Sequence, residues 1–374
     1  MQYLFPRYYK NFHCSAGACP STCCAGWKIE IDPEALKKYR KMRGAFGARL
    51  RNEIDWENGC FRQYQGKCTL LNEDGLCDLY LEGGGESALC RTCHIFPRHV
   101  EEFQGVREYS LSLSCPEAAN LILSCREPVK FLRKNRPGVS ERYQEFDTGL
   151  FQVLQAVRRR MFQILQNRKK PWRLRAAIVL ALAHDLQQRL DKHAEAAAGR
   201  LLRRYSSPGV WDWFEKRTEK RDAGSAARTR RELMELLGRI QPLRESWEPY
   251  LGKIRETLEE PPAPGEEKRM GILFPDTAAE QLMIYFLYVY FCGAVYDRKA
   301  YGKVQFSAAS TIIIREMLRA EWRQSGEGLP ENAAATAACR YARETEHLDE
   351  NLNRMERMLG DEDRFSLEQF LQIL

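Results

Sequence analysis

Cysteines crowd one short stretch of this chain, and that crowding constrains the fold more than any other feature. The sequence CSAGACPSTCCAGW, residues 14–27, contains four cysteines in fourteen positions. Ten of the 13 cysteines lie in residues 14–115. Ordinary core thiols would be scattered among the apolar positions of the chain, so this clustering indicates metal binding.

A disulfide framework is the competing explanation for so many thiols. The opening residues, MQYLFPRYYKNFHC, have no basic region followed by a long apolar run, so they predict no secretory signal peptide. The most apolar stretch, Leu282–Val295, is shorter than the ~20 residues of a membrane span and contains tyrosines, which predicts a buried core helix. We therefore expect a cytoplasmic protein without a membrane partner, in a compartment that keeps thiols reduced.

Residues 1–125, here called the cysteine-rich module, are predicted to be rich in loops. Glycine-containing turns interrupt the module, and only Pro33–Arg43 and Glu117–Ser124 have helical patterns. Residues Val106–Leu113 alternate between polar and apolar, which predicts a strand. Because such a segment cannot build a large core, we expect bound metal to stabilise it.

Residues 126–374, here called the helical body, have helical periodicity. Apolar residues recur at spacings of three and four in Phe146–Gln166, and Trp172–Arg189 and Ser307–Ala320 follow similar patterns. The proline- and glycine-rich residues 259–271 predict a linker. No alternation of strands and helices is visible, and no glycine-rich loop follows a buried strand. The fold class predicted is mainly α, with the cysteine-rich module packed on a multi-helix body and no Rossmann sheet.

The net charge of +7 suggests a nucleic-acid or other acidic partner only weakly. Basic residues concentrate in residues 200–231, but acidic residues interrupt them, as on ordinary solvated helix faces. No helix-turn-helix, RNA-recognition or zinc-finger pattern accompanies them. We therefore expect no nucleic-acid partner.

The cysteine spacing bears on the choice of metal. Structural zinc sites usually contain two C-x2-C knuckles, and only Cys90 and Cys93 have that spacing here. The adjacent Cys23 and Cys24 cannot easily point at one tetrahedral ion, although they could bind different metals. Thiols spread over many loops favour an iron–sulfur cluster, which takes four cysteines. The C-x3-C-x2-C motif of radical S-adenosylmethionine enzymes is absent, because Gly26 stands where its last cysteine would be.

Several stretches resemble the flagellin lysine-N-methylase family. They are FHCSAGACPSTCCAGWKIEID (12–32), KCTLLNEDGLCDLY (67–80), LCRTCHIFPR (89–98), LSLSCPEAANLIL (111–123), AEQLMIYFLYVYF (279–291) and CRYARETEHLDENL (339–352). The resemblance implies a [4Fe–4S] cluster and methyl transfer from S-adenosylmethionine to flagellin lysines. It implies cluster ligands among Cys14, Cys19, Cys23, Cys24, Cys68, Cys77, Cys93 and Cys115. Cys60 and Cys90 are extra to that pattern.

Methyl transfer requires a neutral lysine and therefore a base or a desolvating site. Arg343, Glu346 and His347 lie within about one helical turn, and His347 is the predicted base. A surface salt bridge with a capping cluster explains the same residues equally well.

The sulfonium of the donor needs an aromatic or acidic surround, for which Tyr285 is a candidate. Arg91, Arg98 and Glu117 flank the cysteines and are candidates for orienting the cluster or binding the donor's carboxylate. The function predicted is S-adenosylmethionine-dependent methylation of flagellin lysines. The alternative is a non-catalytic protein that chelates zinc or iron, although chelation alone would not require so long a helical body.

Overall fold

Helices dominate the chain, which confirms the mainly α prediction. The computed structural model describes residues 1–138, 145–218, 222–261, 264–326 and 328–374. Its helices are α1 (Pro33–Lys41), α2 (Gly44–Asn52), α3 (Asp78–Leu81), α4 (Arg91–Ile95), α5 (Pro116–Leu123), α6 (Thr148–Leu165), α7 (Trp172–Leu190), α8 (Ala198–Arg204), α9 (Gly209–Thr218), α10 (Ala223–Leu236), α11 (Trp247–Glu259), α12 (Glu266–Leu273), α13 (Asp276–Tyr290), α14 (Ala294–Asp297), α15 (Ala300–Ser325), α16 (Ala333–Thr345), α17 (Asp349–Leu359), α18 (Glu362–Phe365) and α19 (Leu367–Ile373).

The strands are short and lie mostly in the cysteine-rich module. They are β1 (Gln2–Pro6), β2 (Ile54–Asp55), β3 (Cys60–Phe61), β4 (Gln63–Tyr64), β5 (Lys67–Cys68), β6 (Arg98–Phe103), β7 (Val106–Leu111) and β8 (Phe131–Asn135). Four of them form a mixed sheet in the order β6-β7-β1-β8, in which only β1 and β7 are parallel. This small sheet is not the doubly wound sheet of a Rossmann fold. It joins strands from both sides of residue 125.

The helical body is built around α15, which packs against α7, α13, α11, α16 and α17. Most side chains of α15 and α13 are buried around the whole helix, as expected for helices at the centre of a large core. The stretch Asp276–Asp297 is long and apolar enough to span a membrane, but 83% of its most apolar window is buried inside the protein. The predicted core helix is therefore confirmed. Residues 262–263 of the predicted linker lie outside the described residues.

The cysteine-rich module has a smaller core of its own. Ile29, Tyr39, Leu50 and Leu70 pack there with several cysteine side chains. This core contains only short elements, and β2 to β5 have two residues each. The module contacts the body through α5, which packs against α13 and α16. That contact brings the cysteine loops next to the C-terminal end of α16.

Candidate functional site

The end of α16 is the centre of the candidate site. The helix ends at Thr345, and the N–H of the following Glu346 still donates to the carbonyl of Ala342 at 2.7 Å. The packing of α16 against α5 places this end beside Leu113–Cys115. The predicted residues Arg343, Glu346 and His347 therefore face the cysteine-rich module.

Glu346 lies between two tyrosine hydroxyls of α13. Tyr285 and Tyr290 donate to its Oε2 atom at 2.7 and 3.0 Å, and the N–H of Leu113 donates to the Tyr285 oxygen at 3.3 Å. The other carboxylate oxygen, Oε1, is buried and has no hydrogen-bond partner. Burial raises the pKa of Glu346 from its usual 4.5 to about 7, although the tyrosine hydrogen bonds and the nearby His99 favour the charged form. A carboxylate in this state can accept a proton near neutral pH.

His347 is enclosed by aromatic rings. Its imidazole lies 5.1 Å from the ring of Trp27 and 6.3 Å from that of Phe96, measured between centroids. Both ring nitrogens are buried without hydrogen-bond partners. Burial, with the positive charges of Arg244 and Arg343, lowers the pKa of His347 to about 3. The imidazole is therefore neutral at physiological pH and is a poor proton acceptor.

Arg343 links the helical body to two cysteine loops. Its Nε atom donates to the carbonyl of Ser114 at 2.7 Å, and its Nη1 atom donates to the hydroxyl of Ser21. Ser114 precedes Cys115, and Ser21 lies two residues before Cys23. The side chain is buried, with 6% of the residue exposed. Arg343 thus positions the loops and is not free to contact a substrate.

Arg244 is a residue of this site that the sequence did not point to. Its Nη1 atom pairs with Glu344 at 3.2 Å, while its Nη2 atom is buried without a partner. The guanidinium lies over Gly26, where a Cβ would come within 2.5 Å of the Arg244 Nε atom. Gly26 also has a φ of +83°, which glycine adopts without strain. The missing side chain therefore allows the guanidinium to approach the cysteine loop.

The candidate cofactor residues predicted from the sequence do not all lie at the site. Tyr285 is at the site, as described above. Arg98 lies over the Phe12 ring, with its guanidinium carbon 5.2 Å from the centroid, and Arg91 is exposed with its backbone N–H bonded to Asp32 at 2.7 Å. Glu117 is in the first turn of α5, two residues after Cys115. The structure brings only Tyr285 to Glu346.

The cysteines of the module are free thiols that lie close to one another. Five of them lie in or against the small core of the module: Cys24, Cys68, Cys77, Cys90 and Cys93. In the described part of the chain, no three His, Cys, Asp or Glu side chains converge as they would around a single ion. In a [4Fe–4S] cluster each cysteine binds a different iron, so its four sulfurs lie farther apart than around one ion. The thiol-only donor set fits such a cluster in its chemistry.

The site as a whole suits a ligand with both positive and negative groups. Four buried polar atoms without partners surround it: Glu346 Oε1, both nitrogens of His347, and Arg244 Nη2. The rings of Trp27 and Phe96 add apolar surface. A buried polar atom without a partner carries a desolvation cost, and a catalytic role or a bound group is one explanation for such an atom in a native structure.

Comparison with known proteins identifies the family of this chain. The sequence pattern of the FliB lysine N-methylase C-terminal domain matches residues 158–373, more than half of the chain. The chain therefore belongs to the FliB lysine N-methylase family. This match confirms the resemblance found in the sequence.

Individual relatives come from Salmonella. The chain is 34% identical over 128 residues to the flagellar biosynthetic protein FliU of Salmonella muenchen, covering 75% of that protein and 32% of this chain. It is 33% identical over 128 residues to the lysine-N-methylases of Salmonella choleraesuis and Salmonella typhimurium. That match covers 32% of each methylase, so the aligned part spans about a third of their length. No solved structure matches the chain.

Proposed function

We propose that this protein transfers a methyl group from S-adenosylmethionine to lysine side chains of flagellin, with Glu346 as the base. The observation that carries the proposal is the Glu346 carboxylate, which has two tyrosine partners on one oxygen and none on the other. Membership of the lysine N-methylase family supports the reaction class. The flagellar name of one relative supports flagellin as the substrate.

The state of Glu346 suits lysine chemistry. A lysine with a pKa near 10.4 enters as an ammonium and must lose a proton before its nitrogen can attack. Glu346 Oε1 is the acceptor, because its pKa of about 7 leaves much of the carboxylate charged at neutral pH. The hydroxyls of Tyr285 and Tyr290 hold the carboxylate in one orientation through Oε2. This assigns the base to Glu346 and leaves His347 as a neutral wall of the site.

The donor side of the site is formed by Arg244, Trp27 and Phe96. S-adenosylmethionine supplies an activated methyl group on a sulfonium and carries an amino acid end with a carboxylate. The free Nη2 of Arg244 is the only unpartnered guanidinium nitrogen described beside His347, and a carboxylate is its natural partner. The aromatic rings offer π faces to a sulfonium cation.

The iron–sulfur cluster belongs to the same proposal. A cluster would be held by cysteines from Cys14, Cys19, Cys23, Cys24, Cys68, Cys77, Cys93 and Cys115. Bound iron and sulfide would draw the protons off these thiols and tie together loops that have little secondary structure. Burial raises the pKa of Cys68 to about 12 and that of Cys115 to about 11, so without metal these thiols are neutral.

A methylation assay on flagellin with the Glu346→Gln variant tests the proposal. We expect the variant to fold, because glutamine keeps both tyrosine hydrogen bonds, and to lose roughly 10²–10⁴-fold in rate. The wild-type kcat/KM should rise with pH through about 7, and the variant should lose that rise. Glu350→Gln, at an exposed glutamate of α17, is the control and should keep full activity.

Two results would reject the proposal. One is wild-type methylation in Glu346→Gln, which would remove Glu346 from the reaction. The other is no methylation by the wild-type chain and no thermal stabilisation by S-adenosylmethionine, which would favour the non-catalytic chelating protein.

A further inference from the structure

The cysteines of the module lie in two separate groups. Cys68 and Cys90 are buried in the small module core, and Cys24, Cys77 and Cys93 pack against that core. We call these five residues the first thiol set. The N–H of Cys68 donates to the carbonyl of Cys24 at 2.7 Å, which fixes two of these loops to each other.

The second group includes Cys23, the neighbour of Cys24 in the chain, and lies outside the small module core. Cys115 packs with Phe12, Leu111 and Ala118 in a different apolar cluster. Arg343 binds both Ser114 and Ser21 and so holds Cys115 near the loop of Cys14, Cys19 and Cys23. We call Cys14, Cys19, Cys23 and Cys115 the second thiol set.

Cys23 and Cys24 are adjacent in the chain, so the two sets meet at the peptide bond between them.

We infer that the module holds two separate thiolate-bound metal centres, one on the first thiol set and one on the second, with Cys24 and Cys23 each serving a different centre. This inference rests on the proposed binding of metal by these cysteines and replaces the single cluster with two. The second centre lies beside Glu346, because Leu113 bonds to Tyr285 and Cys115 follows two residues later. The first centre stands in the module core. Cys90, extra to the family pattern, belongs to the first.

Metal analysis of single and double serine variants tests the division. The full chain is purified anaerobically, and iron, acid-labile sulfide and zinc are measured per chain. We expect Cys77→Ser and Cys115→Ser each to lose about half of the wild-type metal, and the double variant to lose nearly all of it. Cys60→Ser is the matched control, since Cys60 is a buried module cysteine on β3 that belongs to neither thiol set. It should keep the full amount.

A single centre would give a different pattern. Complete loss of metal in either single variant, or full retention in one of them, would overturn the two-centre inference. Because a serine variant can fail to fold, the wild-type chain gives a second test. Its metal is removed slowly by a chelator while exposed thiols are alkylated and mapped by mass spectrometry. Two phases, each exposing one thiol set, support two centres; one phase exposing all the cysteines together overturns them.

These measurements do not depend on methylation. Two centres in a chain that does not methylate flagellin would leave this inference standing and reject the proposed function. One centre in an active chain would do the opposite.

Discussion

In the helical body, α7, α13 and α15 bury side chains around nearly their whole circumference, and one continuous apolar core contains them. In the cysteine-rich module, five thiols lie in or against a small apolar core, which is built from two-residue strands and helices of four to nine residues. Short elements gain little from local hydrogen bonds and bury little area. Apolar burial therefore stabilises the body, and the metal ligation proposed above would supply the stability that the module core does not.

The interface between the regions uses polar links. Arg158 of α6 pairs with Glu108 of β7, with 4% and 3% of the two side chains exposed. Arg343 and Arg244 of the body bind or cover the cysteine loops. Such links need exact partners to offset the cost of burying charge. The proposed catalytic site lies at this interface, because Glu346 belongs to the body and Trp27 to the module.

The largest expected effect is the loss of structure in the cysteine-rich module, and not in the body, when the proposed metal is removed. Removing the bound metal anaerobically with a chelator should abolish the fold of residues 54–93, since thiolate ligation contributes on the order of 10 kcal/mol in small metal-dependent folds. Hydrogen exchange should then show lost protection there and retained protection in α13 and α15. Unchanged hydrogen exchange in the module after metal removal would contradict the proposal that metal stabilises the module.

A buried ion pair gives the corresponding test in the body. Glu280 is fully buried and accepts from Arg175 at 2.7 Å, and the Arg175 side chain is 2% exposed. Glu280 also pairs with Arg168 at 2.9 Å, and Glu280→Gln would leave Arg175 only the more distant Asp276 carboxylate at 3.6 Å. We therefore expect the free energy of unfolding to fall by about 3–5 kcal/mol. Chemical denaturation measures this, and metal content should stay at the wild-type level.

The matched control for that variant is Glu350→Gln, because Glu350 is a half-exposed glutamate paired with Arg357. An exposed pair of this kind contributes about 0–1 kcal/mol, so the control should unfold close to the wild type. Equal losses of unfolding free energy in the two variants would show that burial does not increase the contribution of the Glu280 ion pair to stability.

The sequence predicted the bounds of two long helices closely. The period in Phe146–Gln166 corresponds to α6, with its ends within two residues, and Trp172–Arg189 corresponds to α7, with its ends within one residue. The sequence predicted only Ser307–Ala320 of α15, because the ends of that helix mix polar and apolar residues without a clear apolar face. The strands β1, β6 and β8 were missed, since each pairs with a strand distant in the chain or has no strict alternation.

The candidate site was predicted in part for similar reasons. The RETEH segment pointed to Arg343, Glu346 and His347, but nothing local in the sequence pairs Glu346 with Tyr285, 61 residues away. Arg244 was missed because the residue that makes room for its guanidinium, Gly26, lies more than 200 residues earlier in the chain. Distant pairs of this kind are decided by tertiary packing, which a single sequence does not encode in any short pattern.

A smaller effect concerns the contact between the regions. Gly26→Ala combines a strained φ of +83° with a Cβ that would lie 2.5 Å from Arg244 Nε. Strain costs about 1–2 kcal/mol and displacement of the guanidinium adds about 1–3 kcal/mol. Gly105→Ala is the matched control, because Gly105 has a φ of +82° and nothing within 4 Å of a Cβ. The excess loss of stability in Gly26→Ala measures the contact with Arg244, and equal losses would show that the contact is unimportant.

The smallest expected effect is the pH dependence of stability that Glu346 contributes. Burial raises the pKa of its carboxyl from 4.5 in the unfolded chain to about 7 in the folded protein, so the folded state binds more protons between these values. Stability therefore falls as pH rises from about 4.5 to about 7, and it changes no further above that range. Because the residue is partly exposed, solvent screening reduces the total to about 1–2 kcal/mol.

Glu346→Gln isolates this contribution, since glutamine cannot titrate and resembles the protonated acid. The variant should become progressively more stable than the wild type between pH 4.5 and 7, by the same 1–2 kcal/mol, when unfolding is measured at several pH values. A constant difference across that range would mean that the Glu346 carboxyl titrates in the folded protein as it does in the unfolded chain. The carboxyl would then be fully ionised well below neutral pH. Glu346 would be an ordinary carboxylate, whereas the proposed mechanism requires a base whose pKa is raised by burial.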